Sequence, residues 1–158
     1  IAFYGVLNSI YNKNISDREK GFRRAMLELS GKPVPEEYIF RSSYDQKSAA
    51  ENFLPFFSLK EKPTAMFCST DNHIPPVICE LSKHGIKVPD DFSIVGFDGI
   101  FQNQMFYDFS IATNVQPFSI MGKRAAEILF GYINKTSVEI AQEEIPVQFQ
   151  DGGSLKQI

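Results

Sequence analysis

Between residues 63 and 100 the chain alternates apolar runs with polar corners, in an order that predicts strand, helix and strand. Thr64, Ala65, Met66, Phe67 and Cys68 form a short apolar run. It is bounded by Pro63 on one side and by Ser69, Thr70, Asp71 and Asn72 on the other, the pattern of a strand covered on both faces. Ile74, Val77, Ile78 and Leu81 then recur at three- and four-residue steps, which sets them on one face of a helix. Asp71 or Asn72 can cap that helix, and Pro75 is tolerated in its first turn. Gly85 supplies a left-handed stop, Val88, Pro89, Asp90 and Asp91 make a turn, and the run from Phe92 through Phe97 reads as a second buried strand. Strand, helix and strand at this spacing imply a right-handed parallel crossover. The carboxylates of Asp71 and Asp98 are therefore expected at one edge of a sheet, outside the carboxyl ends of the strands, where ligands bind in open α/β folds.

The same reading over the whole chain predicts a strand over 1–6, a loop through Asn14, a helix over 16–30 and a strand over 37–41. It continues with a helix over 46–57, the strand over 64–68, the helix over 73–84 and the strand over 92–97. After an irregular stretch to 110 come a strand over 111–115, a helix over 118–134 and a short strand near 145–149. Such alternation predicts an α/β fold, a parallel sheet with helices on both faces. The polar stretch 134–144 reads as a linker or surface loop, and there are no internal repeats.

Composition narrows the function. At 158 residues, 43% hydrophobic and 22% charged, the chain is large enough to bury one domain core. A net charge of -3 argues against nucleic-acid binding by this segment, since neutralising phosphates takes clustered Lys and Arg. Lys20, Arg23 and Arg24 read as the solvated face of the first helix. No long apolar run suggests a membrane span. Cys68 and Cys79 read as two buried thiols in a reducing compartment, with the cytoplasm the simpler assignment. Cys68, His73, Cys79 and His84 lie close in sequence, but their spacing is not a metal-ligand pattern. There is no nucleophile elbow, no phosphate-cradling glycine loop and no His-Glu-x-x-His, so neither an enzyme nor a cofactor is expected.

Four groups of residues carry a resemblance. They are Arg18 with Gly21, Phe22 and Ala25; Pro63, Thr64 and Ala65; Gly85 through Asp91 ahead of Ser93, Ile94, Val95, Gly96, Phe97 and Asp98; and Ala112, Thr113, Asn114, Val115, Gln116 and Pro117 ahead of Met121, Gly122, Lys123, Arg124, Ala125 and Ala126. In this order and spacing the chain resembles the effector-binding core of the LacI/GalR family of bacterial transcription regulators, which shares its fold with periplasmic sugar-binding proteins. The resemblance implies the C-terminal part of a type I periplasmic-binding-protein-like core. Residues 1–110 would be the C-terminal subdomain, 111–134 a crossover strand and helix normally belonging to the N-terminal subdomain, and 135–158 a linker and tail returning to the C-terminal one. Since the sequence opens without Met inside a strand pattern, it is expected to be a piece of a longer protein whose helix-turn-helix and first subdomain lie upstream. The helix over 118–134 would then lack its partner. Its apolar face of Ile120, Met121, Ala125, Ile128, Leu129 and Tyr132 is expected to pack on its own domain in a new position, to swap with a neighbouring chain, or to move.

By the same resemblance, Arg18 matches the family's effector-gripping arginine, with an ion pair to Asp17 or Glu19 as its other reading. Asp98 would accept hydrogen bonds from vicinal hydroxyls, or cap a turn. Thr70 stands where the family commonly has Asn, and its hydroxyl has one donor where the amide has two. Asp71 would touch the ligand or cap the following helix. Tyr44 would stack on the ligand or be a plain surface tyrosine. Asn12 and Asn14 would add amide contacts or form turns. Gln116 reads as hinge or crossover. Dimerisation would use Pro75, Ile78 and Cys79 with Phe101, Met105, Phe106 and Tyr107, for which core packing is the alternative. The implied function is the ligand-sensing and dimerisation domain of a regulator. Its effector would be a small molecule, a sugar first and a purine second; its other partners would be a second copy and DNA, the latter only through the absent N-terminal domain, with no membrane. A solute-binding protein of a sugar transporter is the alternative with the same fold.

Overall fold

The computed structural model describes residues 1–7, 13–101, 105–106, 108–136 and 142–156; for 13–15 and 105–106 it describes the backbone alone. Strands and helices alternate as β1 (Ala2–Val6), α1 (Lys13–Ser30), β2 (Ile39–Ser42), α2 (Gln46–Phe53), β3 (Ala65–Cys68), α3 (Ile74–Lys83) and β4 (Ser93–Asp98). A short hairpin of β5 (Met105–Phe106) and β6 (Phe109–Ser110) follows, then β7 (Ala112–Val115), α4 (Phe118–Ile133) and β8 (Gln148–Gln150). Six strands form one sheet in the order β2-β1-β3-β4-β7-β8. The first five run parallel.

Two departures from the sequence reading have local causes. The helix expected over 46–57 stops at Phe53 and tightens into a 3-10 turn at Leu54–Ser58, because Pro55 has no N–H to continue the helical ladder. The last strand, expected near 145–149, lies at Gln148–Gln150 and runs antiparallel to β7, with Asn114 opposite Phe149.

The core follows from side-chain alternation along β1. Ala2 and Tyr4 point to one face of the sheet and Phe3 to the other, and all three are fully buried. On the first face, Phe53 and Phe56 from α2 and its 3-10 extension meet Ile74, Val77 and Leu81 of α3, Met66 of β3 and Ile94 of β4. On the other, Phe3, Val34 and Ile39 pack with Phe22 and Met26 of α1 and with Phe67. Each large side chain taken fully out of water contributes about 1.5–3 kcal/mol, so these two layers supply most of the driving force.

The strand over 111–115, expected to lead away from this unit, lies inside its sheet. β7 pairs in parallel with β4, matching Val95 with Ala112 and Asp98 with Val115, and the chain departs only after Val115. α4 then stands off the core. Phe118, Ile120, Leu129, Phe130, Tyr132 and Ile133 are each more than half exposed, and of its residues Gly131 alone is buried. The expected repacking of this helix on its own domain is thus not what the structure shows among the described residues. What α4 does meet is the returning chain: Arg124 forks onto Glu143 at 2.8–3.2 Å, beside a groove of about 460 Å³ lined by Met121, Ile128, Tyr132 and Ile145.

Candidate functional site

Because β1, β2, β3, β4 and β7 are parallel, their carboxyl ends share one edge, and the polar residues after each strand gather there: Ser42 to Tyr44, Ser69 to Asp71, Asp98 and Gln116. Arg18 reaches this edge from the second turn of α1. Its Nη1 donates to the Ser69 carbonyl at 2.6 Å and lies 3.1 Å from Asp98 Oδ1, while its guanidinium carbon sits 4.0 Å from the centroid of the Phe97 ring. The pair is shielded yet still open to solvent, with the Arg18 side chain 17% and the Asp98 side chain 14% accessible. Arg18 does not follow its plainer reading: it pairs with Asp98, whereas Asp17 and Glu19 take Lys20, Arg23 and Arg41.

Asp98 holds a backbone φ of 114°, a region that L residues rarely occupy, and Gly99 follows at 77°. The turn is fastened to β7. Gln116 donates through Nε2 to Asp98 Oδ1 at 2.6 Å and through its backbone N–H to the Asp98 carbonyl at 3.2 Å. A side chain at Gly99 would press on Val115, with its Cβ 3.1 Å from the Val115 Cα.

Asp71 shares this edge but lies beneath it. It is fully buried, Oδ1 accepts from Thr113 Oγ1 at 2.8 Å and Oδ2 from the Ile100 N–H at 2.8 Å. Burial pushes its carboxyl above the ordinary value, against the Thr113 and Ile100 hydrogen bonds that favour the charged form. Gly96 makes the seat, since a Cβ there would come within 2.0 Å of Asp71 Oδ1. The reading of Asp71 as a ligand contact is therefore corrected: a residue with no accessible surface positions the 98–100 turn. Thr70 is likewise 2% exposed, and its hydroxyl accepts from the Asn72 N–H at 3.4 Å, so it caps the turn that leads into α3.

Tyr44 is half exposed at the carboxyl end of β2, on the same edge. The side chain of Asn14 and the whole of Asn12 lie outside the described residues, as do Tyr107 and the side chains of Met105 and Phe106. Of the residues read as a dimer surface, Ile78 is 5% exposed and packs in the core, which burial on the α3 face explains. Pro75 is half-buried. Cys79 is exposed, contrary to the expectation of two buried thiols, because it falls on the outer side of α3; Cys68 is buried, which pushes its thiol up.

Sequence reasoning missed three features of this edge. Phe97 was read as a strand residue, not as the platform under Arg18. Gln116 was read as a hinge, and its direct bond to Asp98 follows from the β4–β7 register, which no single-strand pattern displays. His73 is fully buried, stacks on Tyr4 with centroids 4.6 Å apart, and its Nε2 lies 3.2 Å from Ser42 Oγ and from the Ser43 carbonyl. Burial holds its imidazole below the usual value. Among the described residues no three His, Cys, Asp or Glu side chains are placed to hold a metal, and no helix is long and apolar enough to cross a membrane.

A mostly parallel sheet with strands and helices in alternation is the architecture of a periplasmic-binding-protein-like domain. The profile of that family, the periplasmic binding protein-like domain, matches residues 1–155, and the chain belongs to it. Catabolite control protein A of Priestia megaterium is 33% identical over 143 residues, 90% of this chain and 42% of that protein. The transcriptional repressor PurR of Actinobacillus pleuropneumoniae is 35% identical over 126 residues, 79% of this chain and 37% of that one. This chain thus spans less than half the length of these relatives. Among solved structures, the transcription regulator CcpA of Lactococcus lactis superposes with a TM-score of 0.82 at 22% identity over 98% of this chain and 55% of that one. A LacI family regulator from Bifidobacterium animalis subsp. lactis superposes at 0.80, with 24% identity over 98% of this chain and 54% of that one, a likeness of fold.

Proposed function

We propose that this chain is the effector-sensing and dimerising part of a cytoplasmic LacI-type transcriptional regulator, and that the Arg18–Asp98 pair is one jaw of its effector cleft. The single observation that carries the reading is that pair itself: a guanidinium and a carboxylate 3.1 Å apart, still accessible, at the carboxyl edge of a parallel sheet. Arg18 is fixed from below by Phe97 and from the side by the Ser69 carbonyl, so among the described residues its remaining N–H groups are left for ligand acceptors. Asp98 gives Oδ1 to Arg18 and Gln116, and among the described residues Oδ2 is left for a ligand hydroxyl or N–H.

Together the two groups present donor and acceptor side by side, which suits a vicinal diol and equally the edge of a purine. Sugars lead and purines follow. Tyr44, half exposed on the same edge, is placed to cover one face of such a ligand. The opposite jaw, the second copy and the DNA contacts belong to the longer protein. There, an effector that prefers one closure of the two jaws shifts the population that binds operator DNA, by no more than its differential affinity for the two states.

The test is a thermal-shift screen of sugars and purines on the full-length protein, beside Asp98→Ala. A ligand that raises the melting temperature of the wild type and not of Asp98→Ala supports the reading; a shift that survives the substitution removes Asp98 from the site. Light scattering on the same samples addresses the second copy, and a strict monomer at high concentration argues against a dimer surface here.

A further inference from the structure

The turn that presents Tyr44 is held from two sides. On the outside Asp45 caps α2, accepting from the Ser48 N–H at 2.8 Å and from the Ser43 hydroxyl. On the inside stands His73, at the end of the turn that leads into α3, with Nε2 3.2 Å from Ser42 Oγ and 3.2 Å from the Ser43 carbonyl. A carbonyl oxygen can only accept, so Nε2 carries the ring proton and donates. The Ser42 hydroxyl donates to the same carbonyl at 3.0 Å, and the Leu7 N–H donates to the Ser42 carbonyl at 2.7 Å, which ties the turn to the end of β1. With Nε2 committed, Nδ1 holds the lone pair, and it is buried with no hydrogen bond among the described residues. The titratable groups on the elements around the ring are the Tyr4 phenol of β1, the Cys68 thiol of β3, Asp45 at the start of α2 and Asp71 of its own turn. Tyr4 stacks on the imidazole and donates to the Ala49 carbonyl, Asp45 is taken by Ser43 and Ser48, and Asp71 by Thr113 and Ile100. None of them forms an ion pair with His73.

We propose that His73 is a positioning residue for the effector site: by holding Ser42 and the Ser43 carbonyl from beneath, its neutral ring fixes the turn on which Tyr44 stands, and so fixes where the tyrosine lies over the carboxyl edge. The proposal rests on the reading of Tyr44 as the cover of one effector face, and adds that an imidazole out of the effector's reach sets that cover. A proton on Nδ1 would put a charge where no acceptor and no counter-charge wait for it. The site can relieve that charge only by opening to water, and the 42–45 turn then loses its inner support. Burial holds the imidazole below its usual value, so Tyr44 should keep its place through neutral pH and lose it only as pH falls below about 6.5.

The measurement is fluorine NMR of this chain with fluorotyrosine at its tyrosines, and it needs no effector. The Tyr44 line is the one missing from Tyr44→Phe. In the wild type it should hold its shift at neutral pH and move as pH falls below about 6.5, while the Tyr38 and Tyr132 lines stay fixed. His73→Gln keeps a donor where Nε2 stands and cannot titrate in this range, so the Tyr44 line should keep its neutral-pH position and lose its pH dependence. His73→Phe keeps the ring and its stacking on Tyr4 but not the donor, so the line should sit at its acid position at every pH. His73→Asn sets its donor on the Nδ1 side, where no acceptor waits, and should behave like His73→Phe. A packing role predicts the reverse order, with Phe preserving the line and Gln displacing it. Circular dichroism on each variant confirms that the fold is kept. A second reading uses no His73 variant: the long-range proton–nitrogen spectrum of His84→Gln, in which His73 is the remaining histidine of this chain, should show the Nε2–H tautomer at neutral pH. An Nδ1–H tautomer, a wild-type Tyr44 line that ignores pH or moves only together with the Tyr38 and Tyr132 lines, or a line unmoved in His73→Phe overturns the positioning role. A thermal shift by a sugar or purine that survives Tyr44→Ala instead overturns the effector reading of Tyr44 on which the proposal stands, so the two failures are told apart.

Discussion

α3 and α4 are written in nearly the same code and meet opposite fates. Both follow a strand of one parallel sheet, and both repeat apolar residues at three- and four-residue steps. α3 buries its stripe completely: Ile74, Val77 and Leu81 are at 0% exposure and Ile78 at 5%. α4 leaves Leu129 at 59% and Phe130 at 63%. The lead-ins differ too. α3 is entered through a turn capped by Thr70 and anchored by the buried Asp71, whereas α4 is entered from Pro117 with no side-chain cap. Periodicity therefore tells which residues make a helix face, while the partner of that face is a property of the rest of the molecule.

The largest effect that would test this contrast lies in α3. Leu81→Ala removes a fully buried side chain from between α2 and the sheet, and a destabilisation of about 2–5 kcal/mol is expected in urea unfolding. A loss below 1 kcal/mol, on the order of a surface change, would mean that α3 is not seated as described.

Next comes the anchor of the α3 lead-in. Asp71→Ala orphans the buried Thr113 hydroxyl, worth about 1–3 kcal/mol when left without a partner, and removes the acceptor of the part-buried Ile100 N–H. Stability should fall, and amide exchange at Ile100 should accelerate. An unchanged exchange rate would show that the 98–100 turn does not depend on this carboxylate.

A smaller effect is tied to pH. His73 closes the turn ahead of α3, and burial lowers its folded-state value below the ordinary 6.5. As pH falls, the unfolded chain binds the proton first, so this group contributes nothing above about pH 6.5 and costs stability progressively below it, at up to about 1.4 kcal/mol per pH unit. His73→Gln should flatten the urea midpoint between about pH 7 and pH 5 relative to the wild type. Equal slopes in the two proteins would assign the dependence to other groups.

The sheet was legible because its strands are short apolar runs between turn formers, and because Asp71 and Asp98 each end such a run. Their common edge follows from parallel crossovers alone. Depth was not legible. Asp71 and Asp98 look alike in sequence, yet Gly96 opens a seat that takes one carboxylate under the edge while the φ of Asp98 lifts the other onto it. Pairing across strands was hidden for the same reason: the bond from Gln116 to Asp98 exists because β7 lies beside β4 in one register, and no local pattern encodes a register. Ile78 and Cys79 show the limit at single-residue scale, where one step of 100° around α3 separates core from solvent.

The smallest effect sharpens the comparison most. Leu129→Ala deletes as much side chain as Leu81→Ala from a helix of the same kind, but Leu129 is already 59% exposed. In this chain the change should fall within about 0.5 kcal/mol of zero, the ordinary range for a surface position. A helix that is apolar over such a face is costly to keep in water, so in a chain extended to the length of the relatives the same substitution should cost about 2–5 kcal/mol if the added sequence covers α4. The two measurements together separate the alternatives. A near-zero value here with a large value in the extended chain places the partner of α4 in the added sequence. A large value in this chain alone, growing with protein concentration, means that two copies already bury the face against each other. Near-zero values in both would show that α4 remains solvated throughout, and the likeness between the two helices would then end at their sequence.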